Sequence, residues 1–327
     1  MTEPLNIKGF IDLQVNGFKG VDFSSVELTE DSFVFACREL RKKGTIGFLP
    51  TLISSTVEVY QKNLRIISSI KKYGDFNNLI LGIHLEGPFI SAENGYRGVH
   101  PLENIRDPDI GFLKQLISWS NNNIRLMTIA AEKPDAAKLC SYAVKHNIII
   151  SLGHQQADEK QINKCVERGA KAMTHLGNGL PHFINRHDNP IWTGLGNDLI
   201  VMIITDGFHL PISVIKTIIK VKGIKNTIMV SDLSPLGGLK PGNYKIWNTE
   251  VALSRNGFLY DPSSGYLAAS SSTLLDAANY LLSQEIADLN DIYRMAFYNP
   301  LRLLGIDPVS YKKTKSFILK NKKISIG

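Results

Sequence analysis

Polar side chains able to bind metals and move protons end several short apolar runs of this 327-residue chain. Glu86 ends the run LILGIHLE, and His154 and His175 end two later runs. One carboxylate and two imidazoles can supply three ligands to a Zn²⁺-like ion and leave a fourth position for water, as in hydrolytic sites. A lone histidine at such a position is a core or rim residue as often as it is a ligand. Three such residues at three strand ends together favour a metal site.

Asp232 ends another apolar run, NTIMVSD. A carboxylate facing a metal-activated water can remove its proton and later deliver one to a leaving amine. The alternative is that Asp232 caps the turn that follows it. The other polar residues at run ends are His84 and Asp206, with His209 just beyond. We therefore predict a hydrolytic site in which Asp232 transfers the proton.

The apolar runs themselves predict buried parallel strands, because they are compact, rich in aliphatic and β-branched residues, and bounded by Gly, Pro or Asn. They lie at 9–15, 45–53, 79–86, 124–132, 148–154, 170–176, 199–207 and 226–232. Amphipathic segments with helical spacing separate most of them. Strand and helix repeated in this way predict a closed (β/α)8 TIM-like barrel, whose catalytic residues lie at the C-terminal strand ends. An open doubly wound sheet is the alternative, although no GxGxxG motif follows the first strand.

The remaining segments are expected to extend this barrel within a single domain, residues 1–327. Gly, Pro and turn pairs are frequent after the eighth run, which predicts strand-like additions at 237–267 that cover the top of the barrel. Two helices are expected next, and further strand-like pieces at 313–327.

The composition, 43% hydrophobic and 20% charged, is typical of a soluble globular protein. No apolar run approaches the roughly 18 residues of a membrane span, and no signal peptide is recognisable, so we expect a cytoplasmic protein without a membrane partner. The net charge is +7, but the lysines are scattered, which argues against nucleic-acid binding. A phosphorylated small substrate suits this mildly basic balance better.

The segment AMTHLGNGLPHFINRHDNP, residues 172–190, follows the sixth predicted strand. Its glycines at 177 and 179 allow the backbone to approach a ligand closely, and Arg186 is a planar donor suited to a phosphate or a carboxylate. A lone loop arginine is more often simply solvated. His182 and His187 match no strand end, so we expect them to be bystanders that take no part in the chemistry.

These motifs together resemble the N-acetylglucosamine-6-phosphate deacetylase family of the amidohydrolase superfamily. The matching motifs, in the order of the family, are GFIDLQVNG (9–17), GIHLEGPFIS (82–91) with RGVH (97–100), SLGHQQAD (151–158), THLGNGLP (174–181), ITDGFHL (204–210), MVSDLSPLGG (229–238) and LAASSSTLLDA (267–277). The resemblance covers nearly the whole chain. It implies hydrolysis of the acetamido group of N-acetylglucosamine 6-phosphate to glucosamine 6-phosphate and acetate.

The resemblance also implies the chemistry of the metal. Glu86, His154 and His175 would bind one divalent ion, and Asp232 would transfer the proton. Glutamine stands at position 14 where two-metal relatives carry a His-x-His pair, which favours one ion. Zn²⁺ is favoured, whereas Fe²⁺ and other divalent ions stay open, because imidazole and carboxylate ligands suit them all.

The substrate contacts follow from the same resemblance. His100 and His209 would hold the substrate around its sugar and acetamido groups. Asn178 and the backbone at Gly179 would contact the 6-phosphate. The remaining positions are Arg186, which would reach the phosphate in the neighbouring subunit of a homodimer, Val99 and Leu267, whose backbone would line the pocket, and Gln14 and Asn16, which would lie behind the ligands.

The sequence departs from the family in two respects. The barrel signature already begins at residue 9, so the β-sandwich that relatives build before it should be rudimentary or missing. Several substrate-facing loops are altered, which keeps open a deacetylase acting on a different N-acetylated sugar. A non-catalytic sugar-phosphate-binding homologue is a further alternative.

Overall fold

The computed structural model of the chain describes residues 3–5, 8–309, 311, 314, 317–320 and 322–326. The strands in chain order are β1 Glu3–Leu5, β2 Phe10–Val15, β3 Gly17–Phe18, β4 Val21–Asp22, β5 Thr45–Leu52, β6 Ile83–Glu86, β7 Ile124–Ile129, β8 Ile149–Leu152, β9 Ala172–Met173, β10 Ile200–Ile204, β11 Thr227–Val230, β12 Gly242–Ile246, β13 Thr249–Leu253, β14 Leu259–Tyr260, β15 Phe317–Lys320 and β16 Lys323–Ile326.

The helices in chain order are α1 Glu30–Lys42, α2 Val57–Lys71, α3 Gly74–Asn77, α4 Ile110–Trp119, α5 Ala136–Lys145, α6 Glu159–Glu167, α7 Pro190–Gly196, α8 Ile212–Lys222, α9 Leu274–Ser283, α10 Leu289–Tyr293 and α11 Asn299–Leu303. Short 3₁₀ turns occur at Leu102–Asn104 and Ile224–Asn226, and a π-helical segment, Arg294–Tyr298, joins α10 to α11.

Eight parallel strands form a nearly closed barrel. Their order around it is β2, β5, β6, β7, β8, β9, β10 and β11, the same as their order along the chain. The two end strands meet just beyond β11, where Asn16 donates its backbone N–H to the carbonyl of Leu233 at 2.8 Å. The predicted barrel is confirmed, and the open doubly wound sheet is excluded because the strand order never reverses.

The barrel interior is a packed core closed at the N-terminal ends of the strands. Inward-facing aliphatic residues such as Ile11 and Met202 form one cluster with Phe297 and Tyr311. The Tyr311 hydroxyl donates to the carbonyl of Ile46, near the start of β5, at 2.8 Å. Because side chains fill this end, a substrate can approach the barrel axis only from the C-terminal strand ends.

The outer helices begin where the sequence supplies capping residues. α1 is an example: the Thr29 side chain accepts from the backbone N–H of Ser32, and Ser32 bonds back to the Thr29 backbone. Acidic residues occupy the first turn of α1 and basic residues its last turn, as the helix dipole favours. In the part of the chain that the structure describes, no helix is both long and apolar enough to cross a membrane.

Two small antiparallel sheets accompany the barrel. β12, β13 and β14 form a sheet within 237–267, and the β12–β13 turn carries Trp247 to the cavity described below. β1, β15 and β16 form the other sheet, in which Phe317 contacts Phe10 of the barrel with ring centroids 5.4 Å apart. This three-stranded sheet is consistent with the predicted rudimentary sandwich, whereas the single-domain assignment of residues 1–327 stays a prediction.

Candidate metal centre and active-site cavity

A buried glutamate and two buried histidines meet at the C-terminal ends of β6, β8 and β9. Glu86 is the last residue of β6, and His154 and His175 each lie two residues beyond their strands. Glu86 Oε1 lies 2.9 Å from His175 Nε2 and 3.2 Å from His154 Nε2, and the two Nε2 atoms are 3.0 Å apart. One ligand atom from each residue lies within 4.8 Å of the others, so the three side chains could hold one metal ion.

The chemistry of these donors fits a cation. His154 Nδ1 lies 2.8 Å from the carbonyl oxygen of Tyr96, which can only accept, so Nδ1 carries the hydrogen and Nε2 turns its lone pair toward the cluster. Burial alone would raise the pKa of Glu86, but the imidazoles of His154 and His175 beside it hold the pKa well below its usual range. The site therefore offers an ionised carboxylate and at least one oriented imidazole lone pair in a water-poor environment.

Left-handed backbone turns carry three site residues over the barrel mouth. The φ angle is +50° at His154, +32° at His175 and +50° at Asp232. Such angles cost a residue with a side chain about 1 kcal/mol or more and concentrate at functional sites. The turn that follows each strand thus aims these side chains at the barrel axis.

Two glycines allow the backbone to pack against the His154 ring. A Cβ on Gly179 would lie 2.9 Å from His154 Nδ1, and one on Gly98 would lie 3.2 Å from His154 Cε1. Both glycines also have positive φ angles, +63° and +57°. Close approach and backbone conformation both require glycine at these positions.

Asp232 is held beside the cluster by two side-chain amides. Gln14 Nε2 donates to Asp232 Oδ1 at 2.9 Å and to Glu86 Oε1 at 2.7 Å, and Asn16 Nδ2 donates to Asp232 Oδ1 at 2.7 Å. Burial, followed by the charge of Glu86, raises the pKa of Asp232 to about 8. A carboxyl group with a pKa near neutrality is suited to accept and release a proton.

His100 offers a hydrogen-bond donor to the same space. Its Nδ1 accepts from the backbone N–H of Ser54 at 3.2 Å, so Nε2 carries the ring hydrogen, 3.9 Å from Glu86 Oε2. Burial, reinforced by the neighbouring His154, lowers the pKa of His100 to about 3, so the ring is neutral. A neutral Nε2–H can donate to a developing oxyanion without competing for the metal.

A cavity of about 390 Å³ opens above these residues. Its lining includes most positions predicted from the sequence: Glu86, Val99, His100, His154, His175, Asn178, Gly179, His209, Asp232 and Leu267. Arg186 is absent from this lining and is exposed on the loop after β9. Among the described lining residues there is neither a lysine nor an arginine, so one chain alone supplies the cavity with no permanent cation.

Some lining residues were not foreseen by the sequence interpretation. His182, expected to be a bystander, lines the cavity and stacks on Tyr266 with ring centroids 4.7 Å apart. His187 instead lines a surface groove between α6 and α7. Trp247 lies in the β12–β13 turn and Tyr266 in the segment after β14, and the turn-rich composition of 237–267 was the signal for this cover.

The fold and the site define a class of protein, a TIM-like barrel with a buried donor set at its C-terminal rim that could hold a metal ion. No family model matches the sequence. N-acetylglucosamine-6-phosphate deacetylases of Bos taurus and Homo sapiens are each 30% identical to it, over 311 and 313 residues, or 91% of this chain and 74% of each relative. The crystal structure of that enzyme from Pasteurella multocida is 27% identical with a TM-score of 0.86, covering 98% of this chain and 84% of the other. The chain belongs to the N-acetylglucosamine-6-phosphate deacetylase family.

Proposed function

We propose that this protein hydrolyses the acetamido group of N-acetylglucosamine 6-phosphate, giving glucosamine 6-phosphate and acetate. The observation that carries the proposal is the buried Glu86–His154–His175 donor set, with Asp232 tied to it through the Gln14 amide. Curated relatives that match 91% of the chain are named for this activity.

Glu86, His154 and His175 would hold one divalent cation, with Zn²⁺ favoured because its common catalytic sites combine histidine with a carboxylate. The bound ion would supply Lewis acidity toward the acetamido carbonyl and lower the pKa of water. Since Gln14, on β2, and Asn16, just beyond it, offer amides and not imidazoles to the site, we propose a single ion.

Side chains of the protein transfer the proton of the attacking water and stabilise the negative charge that develops on the acetamido oxygen. Asp232 takes the proton of the attacking water and returns it to the amine as the C–N bond breaks. Gln14 and Asn16 fix the position of the Asp232 carboxylate for both steps. His100 donates Nε2–H to the acetamido oxygen as negative charge develops there. His209 holds the sugar, and the backbone near Val99 and Leu267 forms the wall of the pocket.

The phosphate would be held by Asn178, by the backbone at Gly179 and by Arg186 of a second copy in a homodimer. The loop that carries Arg186 also exposes Phe183, at 94% of its surface, and the first turn of α7, directly after it, exposes Trp192, at 57%. Exposed aromatic residues beside an arginine are typical of protein interfaces. A homodimer would cover them and provide the cation that the cavity lacks. A cytoplasmic location fits this substrate and stays a prediction.

A second candidate function is deacetylation of an unphosphorylated N-acetylated sugar. It is favoured by the absence of lysine and arginine from the described residues that line the cavity. A neutral sugar would need no cation there, since hydrogen bonds from His100, His209 and Asn178 would suffice.

The test is acetate release by Zn²⁺-loaded protein from N-acetylglucosamine 6-phosphate and from N-acetylglucosamine, with bound metal measured on the same sample. We expect one ion per chain and a much higher kcat/KM for the phosphorylated sugar. Absence of acetate from both sugars with the metal bound would refute deacetylation of this substrate pair. Equal or better turnover of the unphosphorylated sugar would establish the second candidate.

A further inference from the structure

Asp206 and His209 form a buried pair at the edge of the cavity, beyond the end of β10. Asp206 Oδ2 lies 2.8 Å from His209 Nδ1, and the two side chains are only 3% and 4% exposed. Asp206 Oδ1 accepts the backbone N–H groups of Phe208 at 2.9 Å and His209 at 3.0 Å. The carboxylate is therefore held at both oxygens by the turn that carries His209.

The same carboxylate is tied to the strand end that bears Asp232. Ser270 Oγ donates to Asp206 Oδ2 at 3.1 Å, while the backbone N–H of Ser270 donates to the carbonyl of Asp232 at 2.9 Å. Burial alone would raise the pKa of Asp206, but the hydrogen bonds and charge of His209 outweigh it and lower the pKa to about 2. Asp206 is an anion, which can only accept hydrogen bonds.

An anion facing Nδ1 fixes which nitrogen of His209 carries the hydrogen. Nδ1 must be protonated to bond to Asp206, so the neutral ring has its lone pair at Nε2, on the side away from the carboxylate. His209 lines the cavity, and within the described residues Nε2 has no hydrogen-bond partner. Nε2 is thus left as an acceptor for a ligand in the cavity.

We propose that Asp206 is a positioning residue that holds His209 in the Nδ1–H form, so that Nε2 accepts a hydrogen bond from a sugar hydroxyl. Asp206 itself does not line the cavity and acts through the imidazole. The identity of the bonding partner rests on the proposed function, whereas the state of the ring does not. The role belongs to binding and leaves the reacting amide to Asp232 and His100.

The first test is spectroscopic and needs no turnover. Long-range ¹H–¹⁵N spectra of Zn²⁺-loaded protein labelled at histidine nitrogens, recorded at about pH 8.5, well above the usual imidazole pKa, report the hydrogen on each ring nitrogen. The His209 signals are assigned by their loss in His209→Gln. We expect a protonated Nδ1 and a bare Nε2 in the wild type. The opposite arrangement in the wild type would overturn the proposal whether or not any variant folds.

In Asp206→Asn the amide can donate to Nδ1, which favours hydrogen on Nε2 and turns the acceptor into a donor. We expect the ¹⁵N pattern to shift accordingly and KM for the N-acetyl sugar to rise roughly 10- to 100-fold, with kcat changed far less. Asp288→Asn, an equivalent change at the exposed N-cap of α10, should leave the ¹⁵N pattern of His209 and the KM unchanged.

A double-mutant comparison separates positioning from a general structural role. In a His209→Gln background, Asp206→Asn should add no further increase in KM, because its effect passes through the imidazole. Additive effects, or an unchanged ¹⁵N pattern in Asp206→Asn, would overturn the proposal. If the wild type releases no acetate, the proposed function fails while the ring state is still decided by the spectra.

Discussion

At the scale of single residues, two buried carboxyl groups of the site have pKa values displaced in opposite directions. The pKa of Glu86 lies well below its usual range, despite burial, because the imidazoles of His154 and His175 lie beside it. The pKa of Asp232 is raised to about 8 by burial and by the charge of Glu86. Gln14 donates one hydrogen bond to each. One carboxylate is thereby suited to hold a cation and the other to carry a proton.

Replacement of Asp232 by asparagine should separate these two roles. The amide oxygen can still accept from Gln14 and Asn16, but the proton carrier is lost, so we expect kcat to fall roughly 100- to 10,000-fold. Metal content should be unchanged, because Glu86, His154 and His175 are intact. Acetate release and elemental analysis of the same preparation measure both. Loss of metal together with activity would show that Asp232 is itself a ligand.

The residues at strand ends could be predicted from their positions in the sequence, whereas loop residues of the site such as His100 and Asn178 were predicted only through the family resemblance. Glu86, His154 and His175 could be grouped because parallel strands of a barrel end on one rim. His182 could not be placed, since its stacking on Tyr266 depends on two loops far apart in sequence. Asp206 was visible as a strand-end residue, but its bond to His209 became apparent only from the fold.

At the scale of elements, the contact between β2 and the residues after β11 closes the barrel and orders the site. Asp12 of β2 accepts the backbone N–H of Ser231 at 3.1 Å, which fixes the residue next to Asp232. Burial raises the pKa of Asp12 from 3.8 to about 7, although hydrogen bonds from Ser231 and Gln14 oppose this shift. A carboxyl group whose pKa is raised by folding binds its proton more tightly in the folded state than in the unfolded state.

Asp12→Asn should therefore change how stability depends on pH. In the wild type, ionisation of Asp12 makes stability fall as pH rises from about 4 to 7, by up to about 1.4 kcal/mol per pH unit. The asparagine side chain keeps an acceptor for Ser231 but does not ionise, so the advantage of the variant should grow over this range and then level off. Urea unfolding at pH values across the range measures this difference. If the free energy of unfolding of the two proteins depended on pH in the same way, the raised pKa of Asp12 would be contradicted.

Gly179→Ala should weaken the metal site. The added Cβ would lie 2.9 Å from His154 Nδ1 and would disturb the hydrogen bond from His154 to Tyr96. Disrupted outer contacts of a ligand lower metal affinity roughly 10- to 100-fold. Competition with a chelator measures the affinity. Gly20→Ala is the matched control, because its φ is also positive, at +85°, but its Cβ would meet nothing within 4 Å.

The strands were predictable because their apolar runs are compact and bounded by turn residues. Their ends were not: the run 170–176 contains a strand of two residues, Ala172–Met173, since the following residues turn toward the site. α7 begins with an Asn189 cap and Pro190 in the first turn, a pair of residues that indicates a helix start in the sequence. At seven residues it is too short for a helical period to reveal it.

At the scale of the whole molecule, the net charge of +7 contrasts with a cavity that has no lysine or arginine among its described lining residues. A phosphorylated substrate bound there must draw its cation from outside that lining. Arg186, on an exposed loop with Phe183 and beside Trp192 of α7, meets this need if two copies associate. The pairing of β1 with β15 could not be foreseen either, because it joins residues from opposite ends of the chain, such as Glu3 and Leu319.

Arg186→Ala should raise KM for the phosphorylated sugar roughly 10-fold or more, because a charged hydrogen bond to phosphate is lost. KM for the unphosphorylated sugar should stay the same. Mixing this variant with Asp232→Asn tests whether the arginine acts across subunits. Hybrid dimers would contain one site with Asp232 from one chain and Arg186 from the other, so low-KM activity should return. If no mixture regained low-KM activity, Arg186 would act in the site of its own subunit or would not contact the phosphate at all.

The left-handed backbone at His154, His175 and Asp232 has a consequence for how the protein can change. Glycine at any of these positions would relieve the backbone strain but would also remove a side chain that the proposed reaction needs. The strain is thus a cost of presenting these three side chains to the cavity, and a substitution that relieves it in place removes the group that it presents.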